Sequence, residues 1–404
     1  MHCQCDCSLW YPYGVGCLQR ECLCASLHEA MIYMKWVRFA IDVVLDGRKY
    51  VIINMDETSL STVYDTGYGM KGRKQPRRPV KLRDHDPDDR SNVKTSLLAT
   101  VCDSAALQPL LPQVILPKYT KRATPPESLR TAYASTGEPL EFWHGTGGWA
   151  GTNVIKKWAT RIRSVIHSFN PDAWILLIWD CSQVHLNLQV ASHLRKLGIL
   201  VIMLPAKLTW LLQLCDVRVF RELKQRLRRQ ISVLRLTSQH GRINPGDWIL
   251  CSGGAIREVI VTRNWEEAFD QMGLGQSLDS VTGRVRRAID LAAVHPALPK
   301  RAEFGRMVNK IHHTDTFRKL HQSIVGHFLH VKNLPVGTPP LCGAVLPLPD
   351  VPPGRKRHRH VEHGAAQWED VIDKHLSMSA RSIVQTPHGR GDAVNRIITV
   401  PEAD

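Results

Sequence analysis

The run Ala173-Trp174-Ile175-Leu176-Leu177-Ile178-Trp179, followed at once by Asp180, decides the fold. Its apolar residues do not alternate with polar ones, as they would in a half-exposed strand, and the run is short for a helix. It predicts a strand covered on both faces, with Asp180 at its C-terminal end. Upstream, Thr152 reads as an N-cap, and Val154, Ile155, Trp158, Ile162, Val165, Ile166 and Phe169 form one helix face that stops before Asn170-Pro171. Downstream come a helix near Leu186 to Leu197, a strand from Ile199 to Leu204 closed by Pro205, and a long helix from about Cys215 to Leu236. Strands alternating with helices imply parallel pairing in this part of the chain.

The same geometry occurs earlier. Tyr50-Val51-Ile52-Ile53-Asn54-Met55 is rich in strand formers and runs directly into Asp56. Thr95 to Val101 and Leu110 to Leu116, separated by Asp103-Ser104, predict an antiparallel hairpin. Leu27, Met31, Met34, Val37, Ile41 and Val44 recur at helical steps and predict an entry helix. Residues 118–151, with Pro125-Pro126 and several glycines, read as a long loop insertion. Beyond Pro245 the pattern weakens, with one short helix suggested by Trp265, Glu266, Phe269, Met272 and Leu274. The expected organisation is a cysteine-rich leader over 1–25, an α/β domain over 26–240, a helical extension over 241–334 and a proline-rich, basic, disordered tail over 335–404.

Composition narrows the partners. The chain of 404 residues carries 53 basic against 37 acidic side chains, a formal charge of +16, and a protein so basic is expected to meet a polyanion. No apolar run reaches the eighteen or so residues of a membrane span, and no signal-peptide pattern opens the chain, so an intracellular protein without a membrane partner is expected. Six of the eleven cysteines (Cys3, Cys5, Cys7, Cys17, Cys22 and Cys24) crowd the leader. Their spacing lacks the paired CxxC knuckles and the histidine pair of common zinc modules, so a poorly ordered leader is the preferred reading.

Two strand-end aspartates and a third, Asp216, at the start of a basic helix 36 positions after the second supply what a two-metal nuclease requires. Phosphodiester cleavage by such enzymes uses a pair of divalent ions about 4 Å apart, and hard cations take oxygen ligands. Asp56 would bridge two such ions, with Asp180 sharing one and Asp216 completing the other. A lone strand-end aspartate is more often a turn or capping residue, so the weight rests on what surrounds these three.

Those surroundings resemble the Tc1/mariner and pogo branch of the DDE superfamily of endonucleases and transposases. The matching segments are Asn54-Met55-Asp56-Glu57-Thr58, Asp180-Cys181-Ser182-Gln183-Val184-His185, and Leu204-Pro205-Ala206-Lys207-Leu208-Thr209 leading to Leu212-Gln213-Leu214-Cys215-Asp216-Val217, with Phe220-Arg221-Glu222-Leu223-Lys224 beyond. The resemblance implies an RNase H-like mixed sheet flanked by helices, catalysis and metal binding by Asp56, Asp180 and Asp216 with two Mg²⁺ or Mn²⁺ ions in the site, and His185 and Gln213 lining it. It also implies DNA as partner, a homodimer on DNA ends and no small-molecule cofactor. Where the family has Asn after the second acid, a Pro-Asn pair after the next strand and Pro before the third acid, this chain has Cys181, Ala206-Lys207 and Leu214. Residues that orient ligands tune metal affinity and rate ten- to a hundredfold. A domesticated or decayed relative that binds nucleic acid without cutting is therefore the alternative. The 55 residues before Asp56 also show none of the family's paired helix-turn-helix modules. Glu57 and Glu222 are rival acids, the first pointing away from Asp56 on its strand and the second lying deeper on its helix.

Basic residues flank the acids. Lys71, Arg73, Lys74, Arg77 and Arg78 follow the first motif, and Arg218, Arg221 and Lys224 line the third-motif helix; all are expected to hold DNA phosphates. The run Arg355-Lys356-Arg357-His358-Arg359-His360 reads as a nuclear import signal, which makes the nucleus the expected compartment.

Overall fold

Strand order brings the first two aspartates to one end of one sheet. The computed structural model describes residues 20–60, 95–117, 140–143, 149–237, 245–309 and 314–340. Its strands are β1 (Tyr50–Leu60), β2 (Thr95–Cys102), β3 (Gln113–Pro117), β4 (Leu140–Phe142), β5 (Trp174–Trp179) and β6 (Ile199–Met203), arranged β4-β3-β2-β1-β5-β6. β1 with β2 and β2 with β3 are antiparallel; β3 with β4, β1 with β5 and β5 with β6 are parallel. This is a mixed sheet flanked by helices, as the sequence led one to expect. The helices are α1 (Arg20–Arg38), α2 (Thr152–Phe169), α3 (Leu188–Lys196), α4 (Thr209–Leu212), α5 (Phe220–Thr237), α6 (Pro245–Ile256), α7 (Glu266–Gln271), α8 (Gly283–Ala288), α9 (Arg301–Met307) and α10 (Asp315–Lys332).

Every residue of β5 is buried, as its unbroken apolar sequence requires, and β2 and β6 are equally enclosed. In α2 the buried Ile155, Trp158, Ala159, Ile162 and Ile166 form the stripe read from the sequence. Arg163 shares that face because its guanidinium donates to the carbonyls of Ala173 and Pro171, fixing the turn into β5. α1 continues as one wider π turn over Phe39–Val44, and Trp36 meets Phe304 and Phe328 edge-on, joining the N-terminal helix to α9 and α10. Arg48 donates to the carbonyls of Val331, Leu334 and Pro335, satisfying groups that the end of α10 leaves without helical partners.

Several expectations are corrected. Asp56, read as the end of its strand, lies inside β1, which runs on to Leu60 because residues 56–60 pair with β2. The stretch read as pure loop over 118–151 contains β4, and Trp143 N–H returns to Ile115 O; a three-residue edge strand leaves no periodicity to detect. Gly151 rather than Thr152 is the N-cap of α2, without a side-chain cap bond. Where one short helix was read after Pro245, α6 to α10 stand, separated by irregular turns that break any long repeat. Residues 335–340, assigned to the disordered tail, are anchored: Trp174 Nε1 donates to Thr338 O and Arg48 to Pro335 O. The cysteine-rich stretch over 1–19, the basic residues Lys71 to Arg78 and the run Arg355 to His360 lie outside the described residues. Among those described, no helix is long and apolar enough to cross a membrane.

Candidate active site

The last parallel pair between β1 and β5 is Asn54 with Ile178, and Asp56 and Asp180 each lie two residues beyond it. Alternation along a strand puts each aspartate on the same face as its member of that pair, and neighbouring strands stand about 4.8 Å apart. Register alone therefore delivers two carboxylates side by side. Asp216 arrives from elsewhere, on a π-helical turn over Cys215–Val219 that leads into α5.

Asn54 ties the three approaches together. It is fully buried; its Nδ2 donates to Ile178 O and to Gln213 Oε1, both at 2.9 Å, and its Oδ1 accepts from Cys215 N–H at 3.0 Å. One amide thus bonds to the strand carrying Asp180 and to the residue before Asp216, while standing two residues before Asp56. Gln213, also buried, donates onward to Met55 O. The sequence reading named Gln213 as lining the site but left Asn54 as a motif neighbour. Its signal was a polar residue inside a run of strand formers.

The carboxylates feel one another. Burial pushes the Asp56 carboxyl up to about 7, and the charges of Asp216 and then Asp180 push the same way, against hydrogen bonds from Glu57 N–H and Gln213. Burial also raises Asp216, opposed by the Thr209 hydroxyl and the Lys224 charge and reinforced by Asp180. Asp180 goes the other way. Burial alone would raise it, but His185 and the backbone and hydroxyl of Ser182 outweigh that and hold it below its ordinary value. His185 Nδ1 lies 2.5 Å from Asp180 Oδ1, and its buried ring stacks on Trp179 with centroids 4.1 Å apart. His185, expected to line the site, bonds Asp180 from its stacked position.

Glu57 and Glu222 are engaged elsewhere. Glu57 accepts from the Ser96 hydroxyl and Ala150 N–H, and Glu222 pairs with Arg263. The Cys181 thiol donates to Leu204 O, linking the turn after β5 to the end of β6. Lys207 adopts φ +74°, a left-handed conformation that suits Gly or Asn better than a long side chain. Lys224 acts on Asp216, whereas Arg218 and Arg221 line a groove on another face of the same helix, so the three do not form one basic wall around the acids. Among the described residues, no three His, Cys, Asp or Glu side chains stand close enough to hold a metal ion. The three aspartates share one electrostatic neighbourhood without being drawn into a ligand cage.

Residues 94–268 match the family model described as DDE superfamily endonuclease, a span that includes Asp180 and Asp216 and begins after Asp56. Over that span the chain is similar to this superfamily, as the motifs indicated. Among solved structures it is similar to the crystal structure of a pre-cleavage Mos1 transpososome, at 11% identity and a TM-score of 0.31 over 66% of each chain, just under two thirds of that protein's length. No curated protein matches it.

Proposed function

We propose that this chain is the core of a metal-dependent DNA endonuclease or transposase, with Asp56, Asp180 and Asp216 as its catalytic carboxylates. The observation that carries the reading is the Asn54 network. A buried amide bonded to the Asp180 strand and to the residue preceding Asp216, on the strand that bears Asp56, is costly to bury, and a role in positioning the three acids relative to one another is what it supports.

The donor set fits a divalent cation. All three side chains offer hard oxygen, and the Asp56 carboxyl is raised by burial first and then by the charges of Asp216 and Asp180. Mg²⁺ or Mn²⁺, as a pair, held by these carboxylates would supply Lewis-acid activation of the attacking oxygen and stabilisation of the leaving one. The protein's part is positional. Gln213 and Glu57 N–H fix Asp56, the His185 ring and Ser182 keep Asp180 ionised and aimed, and Thr209 restrains Asp216. DNA is the substrate this reading assigns, and a homodimer is the assembly that would join two DNA ends.

A second reading, a decayed relative that binds nucleic acid without cutting, is favoured by Lys207 at its left-handed position and by Cys181 directly after Asp180. Nicking of supercoiled plasmid by the purified protein separates the two. Mg²⁺-dependent nicking that Asp180→Asn abolishes supports the endonuclease; equal nicking by both proteins removes Asp180 from the chemistry; no nicking by either supports the decayed form.

A further inference from the structure

A groove of about 580 Å³ runs along α5 on a face that includes none of Asp216, Phe220 and Lys224. That volume is in the range of ligand sites and far exceeds one tetrahedral ion. Its far wall is the helical turn over Arg257–Val261 together with Arg263, and two ion pairs cross between the walls, Arg226 with Glu258 and Arg263 with Glu222. These pairs consume both glutamates of the lining and brace the walls. Arg218, Arg221 and Arg229 also line the groove, all three exposed. Arg218 donates to the neutral Gln271, and Arg221 and Arg229 have no hydrogen-bond or ion-pair partner among the described residues. Arg226 Nε is buried there without a hydrogen-bond partner.

Five arginines against two already neutralised glutamates leave a surplus of positive charge inside a concave surface. From Arg218 to Arg229 the helix advances roughly 16 Å, at about 1.5 Å per residue. Guanidinium forks bind phosphate oxygens in pairs, and a row of them that long matches a chain of phosphates better than a single anion. We infer that this groove is a nucleic-acid backbone track, separate from the acidic centre, in which Arg218, Arg221 and Arg229 hold successive phosphates of one strand. The inference rests on the reading of DNA as substrate but assigns this face no part in cleavage. It anchors the duplex while the acids, carried by β1, the turn after β5 and the π turn before α5, face the scissile bond.

The test uses the full-length protein and a fluorescent 30-bp duplex of arbitrary sequence, with binding followed by anisotropy across a salt series without divalent ions. Each phosphate contact contributes about 0.9 to the slope of log K against log salt. Arg221→Gln/Arg229→Gln should lower that slope by about 2 and weaken binding at least tenfold at 100 mM salt. Arg221→Glu/Arg229→Glu should weaken it further, and the milder pair keeps the readout if the charge reversal misfolds. Arg318→Gln, an exposed arginine on α10 outside the groove, should leave the slope unchanged, and because binding is read without divalent ions or cleavage, a failed nicking assay and a failed groove remain distinguishable. An unchanged slope in both arginine variants overturns the inference. So does loss of tripolyphosphate binding with duplex binding intact, which would make this a small polyphosphate site.

Discussion

Replacing Asn54 with alanine removes the amide on which the acidic centre is built. The side chain makes three buried hydrogen bonds, to Ile178 O, Gln213 Oε1 and Cys215 N–H. Three bonds at a net value of about 1 kcal/mol each give about 3 kcal/mol. Cys215 N–H loses its only bond to that amide and Gln213 Oε1 is left in an enclosed pocket, and an unsatisfied buried group costs about 1–3 kcal/mol. The expected destabilisation is therefore about 3–6 kcal/mol, large beside the ordinary range for point substitutions. Urea denaturation followed by tryptophan fluorescence would measure it, with exposed Ser59→Ala on the same strand as a control held within about 0.5 kcal/mol. A loss below about 1 kcal/mol for Asn54→Ala would refute the claim that this residue joins the three approaches. Asn54→Asp should be no better, because a carboxylate cannot donate to Ile178 O and would bring a fourth negative charge to the acids.

Other outcomes follow from single sites. Asp103 is pushed up to about 7 by burial, away from the acidic centre, while its carboxylate accepts from Ile52 N–H at 3.0 Å. A raised folded pKa means the native state holds the proton more tightly, so the contribution is complete below about 3.8 and lost as pH rises through about 7. Stability should therefore fall across that window, and Asp103→Asn should flatten the fall in denaturation midpoints; an unaltered slope would exclude Asp103 as its source. His185→Phe keeps the stack on Trp179 but not the bond to Asp180, and should weaken Mn²⁺ binding about ten- to a hundredfold with little change in melting temperature. Unchanged Mn²⁺ affinity would reduce His185 to a packing residue. Lys207→Gly relieves the left-handed strain and should raise stability by about 0.5–1 kcal/mol; a decrease would mean that the lysine side chain outweighs its backbone cost.

Much of the sheet was legible because its signals are local. The apolar run of β5 ends in Asp180 and the strand formers of β1 lead into Asp56, and parallel pairing up to Asn54 and Ile178 brings the two acids near each other, although β1 itself continues to Leu60. What escaped was long-range or irregular. Asn54 acts through partners 124, 159 and 161 residues away, and nothing near it in the chain announces them. β4 pairs over three residues only, and the helices after Pro245 are interrupted by a π turn and short loops that break the repeat a sequence reading depends on. Of the basic residues expected to hold phosphates near Asp216, Lys224 acts on that acid while Arg218 and Arg221 line the groove, a division that only the folded helix shows. His185 could be placed in the motif, while its stacking on Trp179 depends on the turn after β5 folding back.

The central claim is that three aspartates from three segments form one divalent-cation centre. Calorimetric titration of Mn²⁺ into the wild type and into Asp56→Asn, Asp180→Asn and Asp216→Asn tests it most directly. The account predicts two ions per wild-type chain, proton release near pH 7 as Asp56 ionises, and weaker binding or a lost equivalent in every variant. Four indistinguishable titrations, or no binding by any of the proteins, would contradict it.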